Sequence, residues 1–583
     1  MSNRTHVDGG VEGGARSPGP PYFSTDLLRR YIRPIGVTAV LHAVRSSRSR
    51  DYHVPIRRIA FWAAALVLVG LFFWQIFVTM PHVSTMSADT LSYFQKEPQR
   101  GAGVYYFFRL VLSVWNNLYA IAAVQGLLLG AVGLLLGYSV RRATGSALLG
   151  LAALIVCLFK VSLVFLTQDI CSDSVFSTAC IGLLAAALLL WERASPGRIV
   201  LFLLFAFAAS VVRSVAAAIL WPILFALALR LWATQRRALA AVVAGSIAVY
   251  AATATIGFIN YGFWAPHTQV GQSLICDVVF IADENVPPEI PYPHKFAAAS
   301  VKARDEYEKA SAWKGKFEII DQYSCGKAWR IARSSVDRDS GVDRLPCFAY
   351  ITAVNEIYKR AALAVIRHNP LGYLKMASVK FVAGVQMLSS YDNFPFRAVY
   401  TQQEAEHRIA QAEEFIDVYK QPNDCARPEF LDPMISYIND WRTTPLDLRS
   451  DVARPLRGLF DLVSGVTVNW LFIAESAAVM ILIAIAVLRR RRIADTLGLL
   501  FLLIIPVWAY LSAICLIILP MDRYMDATSP FVYIALIVGG YALVSASLTR
   551  FWEAVKMLAN WRPFSRGNAA QVAIASEPIE QVR

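Results

Sequence analysis

Ten separate runs of mostly apolar residues constrain this chain more than any other feature, because crossing the hydrocarbon core of a bilayer takes about 20 such residues per helix. The runs lie near 59–80, 115–138, 143–166, 172–191, 197–212, 214–232, 238–260, 467–488, 493–519 and 528–548. In lipid each backbone N–H and C=O has to be satisfied within its own segment, so runs of this length fold as helices. The predicted fold class is an all-α membrane protein of about ten transmembrane helices, with one large α-rich extracytoplasmic loop domain between the seventh and the eighth. Composition agrees: 56% of residues are hydrophobic and 17% charged, against about 25% charged in soluble domains.

The net charge of +14 does not point to nucleic acid, which requires basic residues clustered on a folded face. Here the arginines flank apolar runs: Arg57-Arg58, Arg141-Arg142, Arg236-Arg237 and Arg489 to Arg492. That placement is the signature of cytoplasmic loops. The stretch from Ile199 to Trp232 could be one long helix or two short ones. A turn at Arg213 makes it two and brings every arginine cluster to one side, with both termini cytoplasmic. Residues 81–114, 167–171, the turn at Arg213, residues 261–466 and 520–527 then face outward.

This topology divides the chain into a cytoplasmic tail (1–57), a bundle of seven helices (58–260) with an outer loop at 81–114, an extracytoplasmic domain (261–466), three further helices (467–548) and a cytoplasmic tail (549–583). Residues 1–22 are rich in Gly, Pro and Ser and are expected to be disordered. Residues 24–46 are a candidate interfacial helix, and no cleavable signal peptide is expected. Cys276, Cys325, Cys347 and Cys425 fall in the large loop, where two disulfides are allowed in any of three pairings. Cys157 and Cys515 lie within helices as packing residues.

The chain has no GxxxxGK[ST] loop, no GxGxxG after a strand, no HExxH and no CxxC, so nucleotide-phosphate, zinc and redox chemistry lack their usual ligands. The outward loops instead carry acids and arginines at helix ends: Asp89 in the first, Asp169 and Asp173 in the second, Arg213 at the third turn, and Asp522-Arg523-Tyr524 between Pro520 and Pro530 in the last. Charges at the edge of a bundle usually face a cavity. Arg213 and Arg523 suit a phosphate, since a guanidinium presents paired donors and stays charged at a membrane boundary. Snorkelling is the alternative for both arginines, as helix capping is for Asp173. Lys160 and Glu475, within predicted helices, could line the same cavity.

The order of these residues resembles the GT-C superfamily of polytopic glycosyltransferases. The resemblance rests on Asp89, then Asp169 and Asp173, then Arg213, and a late Arg523-Tyr524 followed by Pro530, together with the stretch Ile366 to Leu374 containing His368, Pro370 and Tyr373-Leu374. It covers residues 59 to 260 and the final helices. The resemblance implies an inverting transfer of a sugar from a polyprenyl-phosphate carrier, on the periplasmic face of a bacterial inner membrane, to a glycan, lipid or protein acceptor. Asp89 would be the catalytic base, and Arg213, Arg523 and Tyr524 would hold the donor phosphate. Asp169 or Asp173 would position the acceptor or a metal. Many members carry two adjacent acids in the first outer loop where this chain has only Asp89, which leaves a divalent metal open. Two rival readings remain: an O-antigen polymerase or ligase using a lipid-pyrophosphate donor, kept open by Arg367-His368, and a transporter, which would usually show broken helices at the midplane and internal symmetry.

Overall fold

A computed structural model of the chain describes residues 55–79, 85–86, 89–265, 269–283, 293–323, 327–333, 347–388, 409–410, 413, 416–417, 430–443, 468–489 and 495–559. The tail expectations for 1–22 and 24–46 lie outside these residues. All ten apolar runs are helical. The first is α1 (Pro55–Trp74), extended by a π turn at Gln75–Thr79. Two-residue β1 (Thr85–Met86), α2 (Thr90–Phe94) and α3 (Ala102–Val114) form the first outer loop. The bundle continues with α4 (Leu118–Thr144), α5 (Ala147–Phe159), α6 (Val161–Gln168), β2 (Asp169–Ile170), α7 (Ser172–Glu192), α8 (Pro196–Val212), α9 (Ala217–Thr234) and α10 (Arg236–Tyr261).

Eight helices are long and apolar enough to cross a membrane, and the pair α5 and α6, bent by 46°, makes up to nine. α8, expected as a full span, has only 17 residues, about 26 Å at 1.5 Å per residue. It stops because Arg213 turns to extended backbone, φ −146° and ψ 131°, before a single 3-10 turn at Ser214–Ala216 leads into α9. The turn expected at Arg213 is therefore present, and it shortens the helix before it.

Local chemistry sets the reversals. Gly145 takes a left-handed φ of 76° after α4, and Ser146 accepts a hydrogen bond from the Leu149 N–H to open α5. The two helices then cross where Gly137 faces the Gly150 carbonyl, a backbone approach that only small residues allow. At this end of the bundle Arg142 and Arg198 both bind Glu192, while Arg230 binds Asp495 and lies over the Trp191 ring. Among the described residues, Arg142, Arg198 and Arg230, each from a stretch read as a cytoplasmic signal, thus meet acids at one end.

The large loop supplies α11 (Val270–Val278), α12 (Pro293–Lys309), α13 (Trp313–Gln322), α14 (Ala328–Ala332), α15 (Cys347–His368), α16 (Pro370–Met387) and α17 (Leu431–Thr443). Elements α11 to α16 share a core that includes Ile275, Phe296, Tyr358 and Met376 and takes in Leu519 from the bundle. α17 packs elsewhere, on the first outer loop, where Phe430 stacks on Phe94 with ring centroids 4.5 Å apart. The chain closes with α18 (Asn469–Leu488), α19 (Asp495–Ile517), α20 (Asp522–Met525) and α21 (Ser529–Ala559). α16 caps the end of α19: the Tyr373 hydroxyl donates to the Leu516 carbonyl, and Lys380 Nζ reaches the Ile518 carbonyl at 3.3 Å. These are carbonyls that a helix end leaves unsatisfied. Lys380 also pairs with buried Asp277 of α11 at 2.6 Å. Burial pushes the Asp277 carboxyl up, and Lys380 opposes that shift.

Candidate active site

The end of the bundle opposite the arginine clusters holds a cavity of about 220 Å³. Its position depends on joining the first two outer loops. β1 pairs with β2 in parallel, Thr85 opposite Asp169 and Met86 opposite Ile170. Thr90 Oγ1 donates to the Ile170 carbonyl at 2.7 Å, and Gln125 Nε2 donates to the Thr167 and Asp169 carbonyls, each at 3.0 Å. This seam brings α2 and its Tyr93 over the start of α7.

Gly101, the residue before α3, lies against the end of α8. A Cβ there would sit 2.4 Å from the Val212 carbonyl oxygen and 2.5 Å from that of Val211. Those atoms belong to the backbone that sets Arg213, so they cannot yield cheaply. Gly101→Ala is expected to cost about 1–3 kcal/mol as an overpacking change, read as a lower thermal unfolding midpoint in detergent. An unchanged midpoint would mean that α3 does not seat on α8 in this way.

Two arginine–aspartate pairs flank the cavity. Arg100 binds Asp89 at 2.5 Å and donates from Nε to Ser92 Oγ at 2.9 Å. Arg213 binds Asp173 at 2.9 Å and donates to Ser172 Oγ at 2.8 and 3.1 Å. Arg213 also lies over the Tyr524 ring, 5.0 Å from its centroid, and Arg100 over the Tyr93 ring at 5.3 Å. Both arginines, both tyrosines and Ser172 line the space. Gln269 and Ser273 at the start of α11 line it too, and Val212, Val215, Ile514 and Ile517 give it apolar walls.

Tyr93 and Ser172 share a hydrogen bond of 2.7 Å. Ser172 Oγ also accepts from Arg213, and either hydroxyl can be the donor between Tyr93 and Ser172. The Tyr93 hydroxyl lines the cavity. Burial pushes the Tyr93 phenol up to about 12, with Arg100 and Arg213 acting in the other direction. It therefore stays a neutral donor at ordinary pH.

Of the residues expected from sequence, Arg213 and Tyr524 line the cavity, and Asp89 and Asp173 touch it through their arginines. Asp169 sits in β2, where its carbonyl is held by Gln125, and is not a lining residue. Arg523 falls on α20, but its side chain lies outside the described part of the structure. His368 does not line the cavity and sits 3.7 Å from Asp283. Glu475 packs against Gly539 of α21, and Lys160 pairs with Asp526; neither lines the space. Cys276 is half-buried on α11, whereas Cys325, Cys425 and the side chain of Cys347 lie outside the described residues.

Arg100, Tyr93 and Ser172 were missed from sequence. Arg100 had one usable signal: it is a basic residue in an outer loop, where the positive-inside rule keeps basic residues few. Among the described residues no three His, Cys, Asp or Glu side chains converge on a metal position. Asp89 and Asp173, the acids nearest the cavity, are each already engaged by an arginine.

No protein-family model matches the chain, and no curated protein matches it. Among solved structures it is similar to the crystal structure of ArnT from Cupriavidus metallidurans bound to undecaprenyl phosphate, at 14% identity over 69% of this chain and 78% of that one, with a TM-score of 0.28. At that score the two backbones do not superpose closely enough to carry residue roles from one to the other.

Proposed function

We propose that the chain is an integral membrane glycosyltransferase that transfers a sugar from a polyprenyl-phosphate carrier to a glycan, lipid or protein acceptor at the extracytoplasmic face. One observation carries this reading. Two guanidinium groups and a neutral tyrosine hydroxyl converge on a cavity that combines polar lining from Ser172, Ser214, Gln269 and Ser273 with apolar walls from Val215, Ala218, Ile514 and Ile517 at the ends of bundle helices. A phosphate joined to a hydrocarbon chain matches both halves of that lining. Guanidinium donors suit phosphate oxygens, and the Val, Ala and Ile side chains suit an isoprenoid.

In this reading Arg100, Arg213 and the Tyr93 hydroxyl hold the phosphate, Tyr524 packs against Arg213, and Arg523 comes from the same turn. Asp173 orients Arg213. The acceptor oxygen attacks the anomeric carbon, forming the new glycosidic bond with inversion while the bond from that carbon to the phosphate oxygen breaks. The electron pair of the broken bond stays on the phosphate, where the arginines offset the developing charge. The acceptor's proton passes to Asp89. A bound phosphate draws on the Arg100 donors that otherwise engage Asp89, which leaves a carboxylate oxygen for that proton. A divalent metal, if one takes part, would have to recruit Asp89 or Asp173 away from its arginine.

The test uses full-length protein in nanodiscs with polyprenyl-monophosphate and polyprenyl-pyrophosphate donors carrying labelled sugar, and a membrane extract as acceptor source. Loss of label from the monophosphate donor is expected. Consumption of the pyrophosphate donor alone would favour the polymerase or ligase chemistry, and binding of neither lipid would remove the proposal.

A further inference from the structure

Among the described residues, Lys160 and Asp526 form a buried ion pair that the proposed chemistry does not touch. Lys160 stands at the 46° break between α5 and α6, and its ammonium donates to Asp526 Oδ1 at 2.6 Å and to Ser162 Oγ at 2.9 Å. Ser162 Oγ in turn donates to the same Asp526 oxygen at 2.5 Å. The Lys160 and Asp526 side chains are 6% and 2% exposed. Two charges in such a place are costly, and well-packed apolar residues of similar size often serve stability as well or better. The location of the pair therefore matters more than its strength.

Asp526 lies two residues beyond Tyr524, in the short turn that separates α20 from α21. That turn is also held by the Tyr510 hydroxyl, which donates to the Tyr524 carbonyl at 3.1 Å, by the Ser529 hydroxyl, which donates to the Asp526 carbonyl at 3.3 Å, and by the Thr528 hydroxyl, which donates to the Met525 carbonyl at 3.2 Å. All of those contacts act on the backbone from residues near in sequence. The Lys160 contact comes from 366 positions away and acts on a side chain. Above it, the Tyr524 ring meets Arg213 on the cavity wall.

We propose that Lys160 and Asp526 are positioning residues: the pair, with Ser162, seats the 522–528 turn so that Tyr524 packs against Arg213 and the guanidinium is held toward the cavity. The inference rests on the reading of that cavity as a phosphate site. Without the strut the turn retains its Tyr510 tether and can shift as a unit, which loosens Tyr524 and with it the Arg213 orientation.

The experiment compares wild type, Lys160→Met, Lys160→Arg and the double variant Lys160→Met/Asp526→Leu, all full-length in nanodiscs. Each is measured for polyprenyl-phosphate affinity, for thermal unfolding and, by cryo-electron microscopy, for the distance from Tyr524 to Arg213. The double variant leaves no unpaired buried charge, so it carries the test if Lys160→Met does not fold. We expect it to unfold near the wild-type temperature, to bind polyprenyl phosphate about tenfold more weakly, equivalent to about 1.4 kcal/mol, and to show Tyr524 displaced from Arg213. Lys160→Arg is expected to recover most of the affinity. Unchanged affinity with Tyr524 in place would overturn the proposal, as would a loss of stability alone. If wild type binds no polyprenyl phosphate, the phosphate-site reading fails, and the Tyr524 displacement alone then decides the positioning role.

Discussion

Replacing Arg213 by alanine is expected to reduce sugar transfer by about 10²–10³-fold, the range seen when a donor to a developing oxyanion is removed. It is also expected to destabilise the protein by about 3–5 kcal/mol, because breaking a buried pair leaves one charge uncompensated. The second effect follows from geometry: Asp173 is 1% exposed and its charge partner is Arg213 at 2.9 Å. The two losses can be separated. Arg213→Ala combined with Asp173→Asn removes the orphaned carboxylate, so the thermal midpoint should return most of the way to wild type while transfer stays low. Arg213→Lys should also transfer poorly, since an ammonium cannot serve Asp173, Ser172 and a phosphate with one planar fork. A double variant that transfers at the wild-type rate would show that Arg213 only neutralises Asp173.

Asp89→Asn should leave the fold nearly intact and cut kcat by about 10²–10⁴-fold, the usual contribution of a positioned general base. Asparagine is isosteric and its amide oxygen can still accept from Arg100, so the loop keeps its geometry. The Asp89 and Arg100 side chains are partly accessible, at 20% and 16%, which limits the stability cost of losing the charge. What disappears is the carboxylate proposed to take the acceptor's proton. The prediction is therefore a fall in kcat with KM for the lipid donor changed by no more than a few-fold, measured in single-turnover experiments. If KM rises instead and kcat holds, Asp89 acts by orienting Arg100 and the base lies elsewhere.

Much of this molecule was legible because hydrocarbon imposes a simple requirement on length and polarity. The ten apolar runs became helices, and Arg142, Arg198 and Arg230 met acids at one end of the bundle. Asp89 and Arg213, chosen because a charge at a membrane edge needs a reason, do sit around one cavity. The partners of those charges were not legible. Asp173 looked like a helix cap or an acceptor ligand, and nothing local to Ser172-Asp173 announces that Arg213 lies across from it, 41 positions along from the serine. Arg100 was hidden for the opposite reason. It is close to Asp89 in sequence, yet only the α2 turn and the Gly101 contact with α8 direct its side chain to the cavity. Lys160 looked like a cavity-lining residue because its counter-charge comes from the last outer turn. The large loop looked like one body, but the described part of its end, α17, packs on the first outer loop, a choice made by Phe94 and Phe430 and not by any periodicity.

The span of the Lys160 contact also bears on how the chain is made. Asp89 meets Arg100 within 11 residues, and Asp173 can meet Arg213 as soon as α8 has entered the membrane. Lys160 has to wait for a residue 366 positions later. At a synthesis rate of about 5–20 residues per second, that interval is about 20–70 s. For that time the nascent chain carries an ammonium at the α5–α6 break whose aspartate has not yet been made, with Ser162 two positions on as a local partner. The 46° bend, which places Lys160 at a break rather than mid-helix, is expected to let this stretch rest near the outer boundary until the C-terminal helices arrive.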